Sequence, residues 1–449
     1  MKNFANISLK GFAGISIIVF CYAIFKAEIN FAGHDRSLIY AKYLKYIIIS
    51  IFFSFFFILS LRFKEKIKSN IVVFFYSLIF IFYLIELILI FDFNYFSQTK
   101  PPFIKDQNTE KNEKKYLSKI KNLIDNDVYP FSGYEIFLEE NQKIYPIGYL
   151  SNTNTLLCRK NGKDLFYKSD KHGFRNSNNI WEKEVYDYVF IGDSFVHGSC
   201  VKDSDTMSSL TMKKTKKNVL NLGIGGFGPL QEYAAFLEFA EEKKPKKVYW
   251  FFYEGNDLTK DIRHEKKIDI LMDYFLKDKT QDLINKQYLI DNYIKKKIIQ
   301  KITLKEESLK VKENTNQKII LSNINEFLKT TKFLRMWELR TLIKNLFGKE
   351  NIDPIFKEIL EKTNKKVKGW NGKMYFIYLP EETRYRNKFN LDNFKNKKDI
   401  IKIVKDLNIK VIDMDDKVFR KKDNPLNLFN NHYSEEGYNL IVNEILKIN

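Results

Sequence analysis

The stretch "YDYVFIGDSFVHGSCV", Tyr186 to Val201, decides the fold. It opens with the apolar, β-branched and aromatic run of a buried strand, then breaks at Gly192-Asp193-Ser194 into a segment with the character of a helix start. A strand delivered straight into a polar turn and a helix is a unit of a parallel α/β sheet. Ser194 has two readings there. A serine at a helix start caps free N–H groups. At a strand-to-helix turn, where backbone N–H groups and the helix dipole favour negative charge, it is also placed to be a nucleophile.

The same alternation continues downstream. "NVLNLG" from Asn218 reads as a strand, "GPLQEYAAFLEFAEEKK" as a helix with apolar residues recurring at three and four, "KKVYWFFYEG" and "GKMYFIYLP" as strands, "DIIKIVKDLN" as a helix, "KVIDM" as a strand and "SEEGYNLIVNEILKI" as a last helix. Strands alternating with helices predict a parallel sheet covered on both faces. A Lys-rich, helix-prone stretch over about 263–350 interrupts the pattern and reads as an insertion with a solvated charged face, its role open between a lid and a partner surface. Upstream, residues 92–180 read as a linker containing Pro101 and Pro102, followed by a small β-rich extension with runs such as "KIYPIGYL" and "DLFYKSD". The α/β domain is expected over 181–449.

The first ninety residues are different in kind. Of 449 residues 40 are Phe, and they crowd toward the N-terminus, within three apolar segments at Gly11–Phe25, Tyr46–Leu61 and Ile71–Phe91. A spanning helix needs roughly 20 apolar residues. The third segment meets that length, and the second does so with Tyr43 and Leu44 included. The first is short, and reads as a spanning helix with snorkelling lysines or as the apolar part of a signal peptide; no small-x-small cleavage site follows it, which favours the helix. Arg62, Lys64, Lys66 and Lys68 form the densest basic cluster beside a membrane end and place that loop in the cytoplasm. Residues 1–91 are thus expected as about three spans in the cytoplasmic (inner) membrane, with everything after Phe91 outside. Glu86, inside the third segment, is expected near the outer interface, reaching water or a neighbouring helix. With Cys158 and Cys200 in the outer region, a disulfide between them is expected, pinning the chain just after Ser194.

Lys+Arg 75 against Asp+Glu 55 gives a formal charge of +20. The lysines are spread through the chain beside Ile, Asn, Phe and Tyr with no dense basic block, so the excess reads as solvated surface and not as a nucleic-acid footprint. No Cys/His pairing has metal-ligand spacing among five His, and no G-x-x-x-x-G-K or dinucleotide fingerprint occurs, so neither metal nor cofactor is expected.

In an open parallel sheet the loops at the carboxyl ends of the strands gather along one edge, where ligands bind. Four polar or glycine-rich pieces fall at such ends: "GDS" at 192–194, "NLGIGGFGP" from Asn221, "EGND" from Glu254, and "NNHYSEEGY" before the last helix. Attack on an acyl carbon needs a base and oxyanion donors. His432 supplies an imidazole suited to general-base work. Gly226 offers an N–H that nothing shields, and Asn256 an amide donor. Each alone has a plainer reading as a cap, a turn or a surface residue; together, at successive strand ends, they point to acyl chemistry. The rival bases His172 and His197 are less well placed, His197 falling on the helix after Ser194.

"GDS" at Gly192–Ser194, Gly226 five after Asn221, "GND" at Gly255–Asp257 and His432 before a terminal helix together resemble the SGNH hydrolases, the GDSL esterase/lipase family, over roughly Tyr186–Asn449 apart from the insertion. The resemblance implies a three-layer α/β/α sandwich of flavodoxin-like type, Ser194 as nucleophile, His432 as base, and an oxyanion hole from the Ser194 amide, Gly226 and Asn256. "KIYPIGYLSNTNTLLCRKNG" and "KSDKHGFRN" look like the segment preceding the core in membrane-attached members. The G-x-S-x-G elbow of α/β-hydrolases is absent, Val196 standing at its second glycine.

One position departs from the family. An Asp commonly stands three residues before the His, and here that residue is Phe429. Asn430, Asn431, Asp423, or one of Asp413, Asp415 and Asp416 are the candidates to orient the imidazole, or none does. The resemblance implies a membrane-anchored esterase, acylhydrolase or acyltransferase acting outside the cytoplasm on ester-bearing glycans or lipids; the rival is a catalytically silent glycan-binding module. Oligomeric state is not legible.

Overall fold

A computed structural model describes residues 2–29, 36–93, 109–131, 144–160, 162–313, 332–347, 351–386, 394–430 and 432–447. The chain forms two compact units, Met1–Tyr95 with Glu326–Leu342, and the remainder.

In the first unit, α1 (Lys2–Ile29), α2 (Arg36–Ser60) and α3 (Glu65–Phe93) are long and apolar enough to cross a membrane, with candidate spans Asn3–Glu28, Tyr43–Ser60 and Glu65–Ile90. The segment that looks short by composition is thus part of a full-length helix. The small Ala5 and Ala13 on α1 let the helices approach, and with Leu9 they pack against Phe57 and Val72, while Phe12 meets the rings of Phe57, Phe75 and Tyr76. Most other large apolar side chains point outward, Phe52, Phe55, Phe74 and Phe80 among them, as lipid-facing residues do.

The second unit opens with α4 (Thr109–Asp125) and a small sheet in which β1 (Val128–Pro130) runs parallel to β2 (Asn154–Lys160), itself antiparallel to β3 (Lys163–Lys168). "KIYPIGYL" is not a strand over its described residues. Pro146 lacks a ladder donor, and Gly148 sits at φ 124°, where a Cβ would stand 2.6 Å from the His172 carbonyl. The run instead buries Tyr145, Ile147, Tyr149 and Leu150 in the main core.

Five parallel strands follow: β4 (Tyr188–Ile191), β5 (Val219–Asn221), β6 (Lys247–Tyr253), β7 (Lys373–Leu379) and β8 (Lys410–Asp413), in the order β5-β4-β6-β7-β8. This is the flavodoxin-like order, and its reversal point lies at the carboxyl end of β4, where Ser194 stands. The period-two alternation of β6 divides the core. Val248, Trp250 and Phe252 face one cluster with α7 (Pro229–Phe239) and the helix Pro354–Gly369, while Tyr249 and Phe251 face another with α5 (Ser194–His197), α6 (Met207–Thr215) and the last helix, Glu435–Leu446. The three-layer α/β/α sandwich expected from the sequence is therefore what the chain forms.

The Lys-rich stretch is not wholly solvated. Its helices Asp269–Lys277 and Gln287–Glu313 put Leu271, Tyr274 and Phe275, and Ile290, Ile294 and Ile298, into the same core, the last three at the four-residue spacing of one helix face.

Candidate active site

Ser194 is delivered by a turn that admits only small residues. A Cβ on Gly192 would lie 2.5 Å from Val196 Cγ2 and 3.1 Å from the Phe251 carbonyl. Asp193 caps α5 by accepting the Phe195 N–H at 2.9 Å, so the capping task falls to Asp193, leaving the Ser194 hydroxyl available. The single turn ends at Gly198, φ 80°, where a Cβ would stand 2.6 Å from Thr206 Cγ2.

Two clamps hold the far end of this turn. The buried guanidinium of Arg175 donates to the carbonyls of Gly198 (2.6 Å), Val201 (2.8 Å) and His197 (3.3 Å) and to Asp203 (2.7 Å). Cys200 is disulfide-bonded to Cys158, their Cα atoms 5.8 Å apart, tying β2 to the segment after the serine.

The second loop is wired to the first. Asn221 accepts the Gly223 N–H at 2.8 Å and donates to the Val196 carbonyl at 2.9 Å, while the Asn176 amide pairs with the Asn221 backbone in both directions. A Cβ on Gly223 would lie 2.4 Å from the His197 nitrogen, and one on Gly225 3.7 Å from Ser194 Cβ. The glycines thus bring this loop against the nucleophile candidate. Gly226 itself has φ 87°, a left-handed conformation that glycine adopts freely. Where the loop enters α7, Gly228 has no capping side chain; the carboxylate of Glu265 accepts the N–H groups of Gly228 (3.0 Å), Leu230 (3.0 Å) and Gln231 (3.2 Å) in its place.

Asn256 stands past the end of β6, donating from Nδ2 to Asp261 at 2.7 Å, and Asp257 accepts the Tyr253 N–H at 2.7 Å. Glu254, just before them, forms a fork with Arg384 at 2.8 and 2.6 Å and accepts from the Tyr378 hydroxyl.

His432 arrives on a tight pair of strands, β9 (Phe429–Asn430) and β10 (His432–Tyr433), with Asn430 opposite His432. Its Nε2 lies 2.8 Å from Ser194 Oγ, whereas Asp193 Oδ2 is 3.4 Å from that oxygen. The Phe195 ring packs against His432 and Tyr433, centroids 4.8 and 4.6 Å away, so the residue after the serine helps seat the imidazole. A hydroxyl within hydrogen-bond reach of an imidazole is the arrangement from which an alkoxide can be generated as it attacks.

Electrostatics under the site are dominated by buried carboxyls. Burial pushes Asp193 up to about 6, and Glu265 up to about 7 despite its three N–H donors. It pushes Asp257 and Glu232 well above the carboxylate range, with neighbouring acids adding to it: Asp193 and Asp261 for Asp257, Asp257 and Asp193 for Glu232. Both Glu232 oxygens are buried without a hydrogen-bond partner among the described residues. Such a group stays neutral, since an unpaired charge there would be prohibitively costly.

The rival bases are core residues. His197 is fully buried, stacks on Phe131 (4.8 Å) and meets the edge of Tyr167 (5.0 Å), and burial holds its pKa well below the usual value. His172 packs on Trp181 (4.5 Å), and burial lowers it to about 4.

Phe429 packs its ring against Phe419 (5.1 Å), Tyr433 (5.2 Å) and Tyr385 (5.8 Å); the position is given to an aromatic cluster. Asn430 and Asp423 are exposed, and Asn431 lies outside the described residues. Asp413, Asp415 and Asp416 group their oxygens closely enough to suggest a cation site. Lys397 Nζ already lies 2.8, 2.7 and 3.0 Å from the three, and Arg420 2.9 Å from Asp415, so the chain's own cations fill that place.

No family model matches the chain, and no curated protein matches it. Solved structures similar to it include a protein described as lipolytic, of the G-D-S-L family, from Desulfitobacterium hafniense DCB-2 (15% identity, 60% of this chain and 100% of that one, TM-score 0.31). Others are a lipase/acylhydrolase from Enterococcus faecalis (13%, 59% and 94%, 0.31) and a lipolytic G-D-S-L protein from Veillonella parvula DSM 2008 (11%, 59% and 97%, 0.30). At this level of likeness nothing about the chemistry follows from them. The chemistry rests on the side chains.

Several of those side chains are not singled out by sequence reasoning: Arg175, Asn176, Glu265 and Asp261. The first two lie in "KSDKHGFRN", whose dense polar residues beside Gly173 were the available signal. Glu265 and Asp261 sit at the start of a Lys-rich run, where an acid reads as a surface partner for lysine.

Proposed function

We propose that this chain is a membrane-anchored serine esterase or acylhydrolase, or an acyltransferase of the same mechanism, acting outside the cytoplasm on ester groups of O-acylated glycans or glycolipids. The observation that carries the reading is the 2.8 Å contact between Ser194 Oγ and His432 Nε2 at the reversal point of a parallel sheet. Ser194 attacks the ester carbonyl while His432 takes the hydroxyl proton. The tetrahedral oxyanion is met by the N–H groups of Ser194 and Gly226 and by the Asn256 amide, which has a second hydrogen beyond the one given to Asp261. Collapse expels the alcohol, which receives its proton from His432. Water or a second hydroxyl then attacks the acyl-Ser194 ester by the same steps in reverse. The membrane part of the reading is supported by three helices of spanning length, and the external location by the Cys158–Cys200 disulfide, a bond that persists in oxidising compartments.

A second reading, a silent glycan-binding module in surface-polymer assembly, is favoured by Phe429, whose ring occupies an aromatic cluster where a triad would have a carboxylate. Labelling the full-length chain in detergent with a fluorophosphonate separates the two. The esterase reading expects labelling of wild type that disappears in Ser194→Ala and in His432→Ala; a folded wild type that takes no label sinks it in favour of the binding module.

A further inference from the structure

Glu86 lies inside the most apolar of the described helices and is fully buried. A carboxylate in such a place needs strong partners. It has two, both backbone: Oε1 accepts the Glu338 N–H at 3.0 Å and Oε2 the Leu339 N–H at 2.7 Å. These are free donors of the first turn of the helix Trp337–Phe347, within the stretch expected to be an insertion of the α/β domain. Just before that helix, Met336 takes a left-handed φ of 46°, turning the new helix so that its positive end meets the carboxylate. Tyr83, one turn before Glu86, donates to the Leu334 carbonyl at 2.9 Å and packs on Phe333 at 5.2 Å.

The docked helix is amphipathic. Leu339, Leu342 and Ile343 recur at the i, i+3, i+4 spacing of one face. Ile343 on that face is 48% exposed, while Arg340, off it, is exposed as well. Around the docking point α3 continues the apolar surface, with Leu87 42% and Ile88 53% exposed. Glu86 precedes the end of the candidate span, Ile90, by four residues, about 6 Å of helix rise. That is the depth, roughly 5–10 Å, at which an interfacial amphipathic helix buries its apolar face.

We propose that the segment Lys332–Phe347 is a bilayer-interface helix, seated on the end of the third span by the Glu86 carboxylate, whose apolar face takes lipid as its partner. The inference rests on the reading of α1–α3 as membrane spans. It assigns this part of the Lys-rich stretch to the membrane surface, where a second anchor holds an enzyme of lipid-linked or surface-bound esters near its substrates.

The test is spin labelling of the full-length chain in liposomes of phosphatidylcholine and phosphatidylglycerol. Cys21 is replaced by Ser, and single labels are placed by Ile343→Cys, Thr341→Cys and, as a reference on α3, Ile88→Cys. The expected result is an accessibility ratio of oxygen to an aqueous nickel chelate at 343 about threefold or more above that at 341, and close to that at 88, because apolar oxygen concentrates where the buried face lies. In a Glu86→Ala background the ratio at 343 falls toward that at 341 while the label at 88 keeps its value. A label at 343 reached by the nickel chelate as readily as that at 341 overturns the proposal, as does one shielded from both probes, which means that protein covers the face. A label at 88 that is itself aqueous overturns the membrane reading, a separate outcome.

Discussion

The Ser194 hydroxyl oxygen lies 2.8 Å from an imidazole nitrogen and 3.4 Å from a capping carboxyl, and the shorter path is the one that the proposed general-base mechanism uses. In the proposed mechanism nucleophile and base act as a unit, so Ser194→Ala and His432→Ala are each expected to lower kcat/KM on an activated aryl ester by at least about 10³, and the double variant by little more than either alone. Steady-state hydrolysis by the three variants checks this. A further side chain makes a pH statement. Asp170 caps the N–H groups of His172 and Phe174 and binds Asn176, yet burial outweighs those bonds and pushes its carboxyl up to about 6. A raised carboxyl contributes stability that is fully present below its unfolded value, near 4, and is lost as pH rises through about 6. The folded chain is therefore expected to lose roughly 2 kcal/mol from this group between pH 4 and 7. Asp170→Asn removes the titration, so the Tm of the variant relative to wild type is expected to shift in the variant's favour across that interval. Thermal melts of the full chain in detergent at pH 4, 5, 6 and 7 read it directly; a constant difference contradicts it.

α5 is a single turn, too short to hold its own shape, and its geometry is imposed from both ends by Asp193 and by Arg175. The guanidinium meets three carbonyls and Asp203 with a planar fork that an ammonium cannot reproduce. Arg175→Lys is therefore expected to lower kcat by about 10- to 100-fold with a smaller change in KM, because a displaced nucleophile loses near-attack geometry and not substrate contacts; kcat and KM measured separately distinguish this from a binding defect. This turn also shows what a sequence reveals. The strands were legible because "YVFI" and "VYWFFY" carry the continuous apolar signal of a doubly covered parallel sheet, and the four polar pieces were legible because strand ends share an edge. What holds those pieces was not. Glu265 capping a helix that begins 36 residues earlier in the chain, at Pro229, and Phe429 packing on Tyr385, 44 residues before it, are long-range pairings, and so, in the membrane-helix unit, is Glu86 capping a helix that begins 251 residues later, at Trp337. No local pattern distinguishes such an acid from a solvated one, or such an aromatic from a misplaced triad position.

For the chain as a whole, composition separates apolar helices from a Lys-rich α/β domain, and the cysteines make the sidedness of that domain measurable. There are three: Cys21 on α1, which is free, and Cys158 and Cys200, which are bridged across 42 residues. In the chain-entropy account, closing a loop of that length stabilises the fold by up to about 4 kcal/mol, so a Cys158→Ser, Cys200→Ser double variant is expected to unfold at lower temperature or denaturant concentration than wild type. The same pair reports the compartment. A domain exported across the membrane meets oxidising conditions, and one retained in the cytoplasm is kept reduced. If the basic loop from Arg62 to Lys68 is cytoplasmic, the odd number of spans from α1 to α3 puts the start of α1 and the α/β domain on opposite sides. Chain taken from cells into denaturant with a maleimide polymer and no reductant is then expected to gain a single label, at Cys21, and to gain three only after reduction. Three labels without reduction would place the domain on the reducing side and reverse the topology, whereas a single label that becomes three fixes the site of Ser194 outside the cytoplasm, where esters of surface glycans are within its reach.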